Sequence, residues 1–336
     1  MNALKKLFPR RLLEGLRYIR HGRLTWDRTL PSSVVSAAMT TKEEQALFTK
    51  SVKDVAGLKG EIIDLGCWLG STTISLASGL RELNDPGKVY AFDRFIWEPW
   101  MDLYSSEHWC EYLPGELFLP ETRRRMGDLK PWVVLVTADL TTYHWEGGAV
   151  RLVLVDAMKS WRLTTAIGRE FYGALVKDAL VLHQDYLSYN HPWLSVLQYR
   201  LRDYMRYETC VSHGATASFR LSKEIPSDVL LKAIDFSQLT DDEAERSWLW
   251  SLEVIGERAR GTMACSKIMY YLGKGEIERS KVLLRESEKL QQIEPHNLTT
   301  VRQDIAKAEA GDHSWAEMNA DRMFSHGTDA VGRNAA

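Results

Sequence analysis

The stretch EIIDLGCWLGSTTISLA, from Glu61 to Ala77, constrains the fold of this chain more than any other. An apolar run reaches Asp64, a turn carries Gly66 and Gly70, and small hydroxylated residues then open a helical pattern. A strand that turns through glycines into a helix brings backbone N–H groups and the positive end of the helix to one point, where a ligand can approach the backbone. The dinucleotide fingerprint needs glycines in the order GxGxxG. Here Trp68 stands at the second glycine's place, so a pyrophosphate cannot approach the backbone in the usual way. A nicotinamide-dependent oxidoreductase is therefore the weakest reading.

The same alternation continues along the chain. EEQALFTKSVKDV reads as an amphipathic helix before the first strand. KVYAF ending at Asp93, then WVVLVTAD, RLVLVDA and DALVLHQDY, are short apolar runs bounded by turn residues, most of them separated by helix-length stretches. Such alternation predicts an α/β fold, a Rossmann-like doubly wound and mostly parallel sheet covered on both faces. ETCVSHGATASFRL predicts an antiparallel hairpin closing that sheet, in a domain spanning 36–225.

After Pro226 the pattern is helical through 226–320, with no further strand signal. Ala264 to Pro295 resembles one tetratricopeptide-type hairpin around GKGE. A single such unit cannot bury its own face, so it is expected to pack on the main domain or on a second copy, which would make a homo-oligomer. Residues 321–336 have the composition of a disordered tail. Residues 1–35 form a basic amphipathic arm, with Leu4, Phe8, Leu12, Leu16 and Ile19 on a helical period among lysines and arginines. Packing is the ordinary use of such a helix; peripheral contact with an anionic membrane is the alternative.

Composition narrows the function classes. The 336 residues carry a formal charge of −2, which gives no overall drive toward nucleic acid. Cys67, Cys110, Cys210 and Cys265 form no CxxC pair, so a reduced cytoplasmic protein is expected, without a disulfide framework or zinc site. No apolar run reaches the roughly 18 residues of a membrane span.

DLGCWLG resembles motif I of the class I S-adenosylmethionine-dependent methyltransferases, in which an acidic residue precedes a GxxxG turn. Asp93, ending the next apolar run, is placed to accept both ribose hydroxyls of an adenosyl group. Asp139 ends the following run, where this family places an adenine-contacting residue. Three acidic strand ends in this order outweigh the ordinary use of any one aspartate as a helix cap. The resemblance implies S-adenosylmethionine as cofactor, held by Asp64, Gly66, Cys67, Trp68, Gly70, Ser71, Asp93, Arg94, Asp139 and Asp156.

LVLVDAMKSW and LVLHQDY resemble the strand ends of cation-dependent small-molecule O-methyltransferases of the catechol, caffeoyl-CoA and macrocin types. That likeness implies a divalent cation, Mg2+, at Asp156, Gln184 and Asp185, with Lys159 taking the acceptor's proton. Gln184 departs from the family's carboxylate and lowers the charge of the donor set. Methyl transfer to oxygen needs a hydroxyl that loses its proton, and a cation or a nearby base assists that loss. Solvated lysine and capping aspartate are the ordinary uses of these residues. Aromatic residues cluster around this region: Trp97, Trp100, Tyr104, Trp109, Tyr112, Tyr186, Tyr189 and Trp193. They suit either a core or an acceptor wall for a sugar or ring. His108, His144 and His191 lack metal-ligand spacing and are taken as ordinary. The leading expectation is O-methylation of a small-molecule hydroxyl, possible acceptors being sugars and natural products. The alternatives are a metal-independent methyltransferase and a cofactor-binding interaction protein that has lost catalysis.

Overall fold

Helix α1, Lys42–Asp54, starts where a capping box fixes it. Thr41 Oγ1 accepts the Glu44 N–H at 3.2 Å, and the Glu44 carboxylate accepts the Thr41 N–H at 2.8 Å. The same carboxylate accepts from Ala215 N at 3.1 Å and Thr216 Oγ1 at 2.8 Å, so the cap also fastens the far edge of the fold. The structure is a computed structural model describing residues 39–103, 112–289 and 295–312. The basic N-terminal arm, the tail 321–336, and Tyr104, His108, Trp109 and Cys110 lie outside the described residues.

The apolar runs form the strands β1 Glu61–Leu65, β2 Val89–Asp93, β3 Val133–Thr137, β4 Val150–Val155, β5 Leu175–His183, β6 Met205–Cys210 and β7 Ala217–Leu221. They make one seven-stranded sheet in the order β3-β2-β1-β4-β5-β7-β6. The first five strands pair in parallel, and β7 runs antiparallel to both β5 and β6. This is the mixed α/β sheet, closed by a hairpin, that the alternating runs predict. The chain winds outward from β1 through β2 to β3, then returns to β4 on the other side. In such sheets, ligands bind outside the carboxyl ends of the strands at this reversal.

Strand alternation sorts the core into two faces. Ile62, Leu152, Leu154, Leu180 and Leu182 pack with Phe48 and Val52 of α1 and with Leu76 and Leu80 of α2, Ser71–Leu83. Gly79 permits that contact, because a Cβ there would stand 2.8 Å from the Val52 Cβ. On the other face Ile63, Leu65, Val153, Val155 and Val181 meet α4, Trp161–Phe171, and α5, Pro192–Arg200. Between β2 and β3 lies α3, Leu119–Arg125.

The helical region contains α6 Ser227–Ala233, α7 Asp241–Ile255, α8 Arg260–Gly273, α9 Ile277–Ser287 and α10 Pro295–Glu309. Helices α8 and α9 pack together as a hairpin. Trp248 of α7 and Met263, Ile268, Met269, Tyr270 and Tyr271 of α8 belong to one apolar cluster with Trp193 and Leu197 of α5. Each large apolar side chain buried in this way contributes roughly 1.5–3 kcal/mol. Among the described residues, no helix is long and apolar enough to cross a membrane.

Candidate functional site

The turn after β1 takes its shape from β2 and β4. Gly66 N and Cys67 N both donate to the Phe92 carbonyl, at 2.8 and 3.2 Å. Gly66 has φ 89°, and a Cβ on it would stand 2.9 Å from the Asp156 carbonyl oxygen, so only glycine fits. Trp68 holds φ 43° without being glycine. Its ring packs between Trp97 and Trp100, with centroids 6.4 and 6.1 Å away. Its carbonyl accepts from Thr122 Oγ1 of α3 at 2.9 Å. Helix α2 then starts after Gly70, at φ 91°.

Asp64 lies beneath this turn. It shares a sheet face with Ile62, which aims it at the start of α2, and both Thr72 and Thr73 donate their hydroxyls to its Oδ2, at 2.8 and 2.6 Å. It is fully buried, and burial pushes its carboxyl up to about 6 despite those bonds. Asp64 thus braces the turn from below and is not on the cleft wall.

Above the turn opens a cleft of about 740 Å³ at the β1/β4 reversal. Of the residues singled out in the sequence, Gly66, Cys67, Trp68, Ser71, Asp93, Arg94, Asp139, Asp156, Lys159 and Gln184 line it. Asp93 accepts Trp68 N at Oδ2, 3.0 Å, and Phe95 N at Oδ1, 2.7 Å. A carboxylate has about four acceptor sites, so each oxygen retains one for a ligand hydroxyl. Burial raises the Asp93 carboxyl against the pull of these two N–H groups. Asp139 sits at the exposed lip and accepts Thr141 N and Oγ1 at 2.9 and 2.7 Å, which lowers its pKa. Arg94 pairs with Glu98.

At the other end of the cleft, β4 and β5 end side by side, with Val155 opposite His183. Asp156 N donates to the Leu65 carbonyl and Gln184 N to the Val155 carbonyl, at 2.8 and 3.0 Å. The Lys159 ammonium bridges the two carboxylates there, at 2.5 Å from Asp156 Oδ1 and bonded also to Asp185 Oδ2. Burial alone would lower the Lys159 pKa, but Asp156 and Asp185 outweigh it and hold the ammonium well above the ordinary lysine range. Asp156 is raised to about 7, chiefly by burial, with Lys159 opposing. Lys159, expected from the sequence to take the acceptor's proton, has two carboxylates as its immediate neighbours, and they favour its charged form.

The proposed metal set does not fit a divalent ion. Asp156 and Asp185 are already bridged by one ammonium, and Gln184 adds only a neutral amide whose Oε1 is buried and unpartnered. Among the described residues, no group of three or more His, Cys, Asp or Glu side chains is gathered to hold a metal. His183 points away, as alternation requires. It is buried against Tyr172 and Gln198, and burial lowers its pKa to about 3, so it is neutral.

Several cleft residues had no sequence signal. His191 lies in the wall, 3.8 Å from Asp185 Oδ2, with its ring edge-on to Trp193. Met39, Thr40, Met101, Arg125 and Arg162 join the wall from four separate segments of the chain. The aromatic residues divide: Trp68 and Trp100 face the cleft, whereas Trp97, Tyr186 and Trp193 are core. The loop after β5 is tied to the helical region. Tyr186 Oη meets Ser251 Oγ at 2.9 Å, and Thr262 and Ser266 donate to the Leu187 and Tyr189 carbonyls, both at 3.2 Å.

No protein-family model matches this chain, and no curated protein does. Among solved structures it is similar to the O-methyltransferase NovP, with TM-score 0.46 and 16% identity over 56% of this chain and 83% of NovP. It is also similar to CalS11, a TDP-rhamnose 3'-O-methyltransferase of calicheamicin biosynthesis, with TM-score 0.41 and 14% identity over 62% of this chain and 93% of CalS11. A third is the SAH-bound methyltransferase PaMTH1 of Podospora anserina, with TM-score 0.35 and 13% identity over 64% of this chain and 97% of that one. These are likenesses of fold.

Proposed function

We propose that this chain is a class I S-adenosylmethionine-dependent methyltransferase that methylates a hydroxyl of a small-molecule acceptor. One observation carries the reading. A single cleft at the sheet's reversal point joins an acceptor-rich carboxylate, Asp93, to an ion cluster at the ends of β4 and β5. A volume of about 740 Å³ is in the range of small-molecule sites and accommodates a nucleoside cofactor beside a modest acceptor.

The residues present fit the cofactor. Asp93 has lone pairs left for two ribose hydroxyls, the Gly66–Gly70 turn offers a close backbone approach, and Asp139 and Leu140 flank the place for a base. When bound, S-adenosylmethionine supplies an electrophilic methyl group on a sulfonium centre. With both carboxylates ionised, the Asp156–Lys159–Asp185 cluster carries one net negative charge. Its ammonium can donate to the acceptor oxygen and orient it, and its carboxylates can take the hydroxyl proton as the new O–C bond forms. Burial raises the Asp156 carboxyl, which suits it to receive that proton. Trp68 and Trp100 give the wall an apolar surface on which a ring can stack.

The test is calorimetric titration of the full chain with S-adenosylhomocysteine, followed by transfer of labelled methyl groups to a panel of hydroxylated acceptors. Micromolar binding and alkali-stable ether products are expected. Absence of binding by the folded wild type would overturn the assignment.

A further inference from the structure

The place between Asp156 and Asp185 is set by the fold. Both sides of the loop that delivers Lys159 are pinned. The Lys159 N–H donates to the Ala157 carbonyl at 2.8 Å, and Trp193 Nε1 donates to the Met158 carbonyl at 2.7 Å from within the core. Ser160 then caps α4, its Oγ accepting Leu163 N at 3.1 Å. The lysine backbone therefore has little freedom, and its side chain reaches the two carboxylates from a fixed root.

A hard divalent ion needs oxygen ligands at about 2.0–2.6 Å. Its charged ligands here would be the Asp156 and Asp185 carboxylates, each of which already has one oxygen on the ammonium, so an ion held between them would meet the like charge of Lys159 at close range. Charge agrees with geometry. Two carboxylates balance a dication alone, but not a dication and an ammonium together, and Gln184 brings no charge. Its buried Oε1 lacks a partner, as expected of a ligand position that the lysine leaves unused.

We infer that the Lys159 ammonium is the resident cation of this centre, excluding divalent metals, and that removing its charge uncovers a latent divalent-cation site at Asp156, Gln184 and Asp185. This inference deepens the proposed methyltransferase reading and takes its catalytic meaning from it, but its test reads metal binding alone.

The probe is Mn2+, titrated into the full chain and followed by electron paramagnetic resonance of the free ion. Wild type and Lys159→Arg should take up none below millimolar concentration. Lys159→Met should bind one Mn2+ per chain at least tenfold more tightly than wild type, and adding Asp185→Asn should abolish that gain. One Mn2+ held tightly by the wild type and lost in Asp185→Asn would overturn the inference, whether or not Lys159→Met folds. A folded Lys159→Met with no gain would overturn it equally. S-adenosylhomocysteine binding in the same samples reports separately on the methyltransferase reading.

Discussion

Asp93→Asn tests the cofactor end of the cleft. Both carboxylate oxygens hold the backbone in place, at Trp68 N and Phe95 N, and both of those residues have left-handed φ, 43° and 52°. The asparagine retains one acceptor oxygen and turns an NH2 toward the other N–H, so one of the two turns loosens. A hydrogen bond to a charged group contributes about 1.5–3 kcal/mol, so losing one such bond to the ribose lowers affinity roughly 10- to 150-fold. The assay is calorimetric titration with S-adenosylhomocysteine on protein whose thermal melt shows one cooperative transition. The pH dependence sharpens the test. Burial raises the Asp93 carboxyl, so protonation on acidification begins above the ordinary aspartate range and removes acceptor capacity. Wild-type affinity should therefore fall as pH drops toward that raised pKa, and the asparagine variant should lack this component. A folded Asp93→Asn with wild-type affinity would remove Asp93 from the ligand site.

Asp64→Asn should change the pH dependence of stability. Asp64 is raised from 3.8 to about 6 by burial, so the native state binds its proton more tightly than the unfolded state. The resulting stability is present below about pH 4 and lost as pH rises through about 6, a difference of about 3 kcal/mol. Denaturant midpoints at pH 4 and 7 should show the variant gaining that amount relative to wild type; parallel curves would refute it. Gly66→Ala, with φ 89° and backbone 2.9 Å from the new Cβ, should lower stability by at least about 1–3 kcal/mol in a thermal melt. Truncation after 226 should leave a chain without cooperative unfolding and with dye-binding apolar surface. A cooperative melt of that fragment would show that the sheet domain folds without α7 and α8.

Much of the fold was legible because local patterns agree with the global arrangement. The apolar runs from Glu61 to His183 are short and bounded by turn residues, with β4 buried throughout and the edge strand β3 half-buried, so strand type, order of elements and parallel pairing follow together. The cleft end at Gly66 and Asp93 was legible for the same reason: their positions at strand ends are dictated by sequence. What the side chains do there was less accessible. Asp64 and Asp93 both end apolar runs, yet strand alternation sends one to the threonines of α2 and leaves the other at the cleft. The role of Lys159 depends on a carboxylate distant in sequence, Asp185, whose placement follows from the β4/β5 register. A DxxK spacing alone cannot tell whether the lysine faces a metal or replaces one.

The coupling between the helical region and the site has the same origin in distant contacts. Gln184, Asp185 and His191 all lie on the loop after β5. That loop is held on one side by Leu187 N, which donates to the Ala215 carbonyl at 2.8 Å, and on the other by α7 and α8. Ser251, Thr262 and Ser266 make those contacts through hydroxyls that show no periodicity in sequence, in a segment whose helical pattern reveals only its apolar face. Buried donors and acceptors of this kind fix geometry more than they add stability, since each contributes only about 0.5–1.5 kcal/mol net. The helices that read as an appendage thus hold the loop carrying Asp185, and with it one of the two carboxylates that grip Lys159.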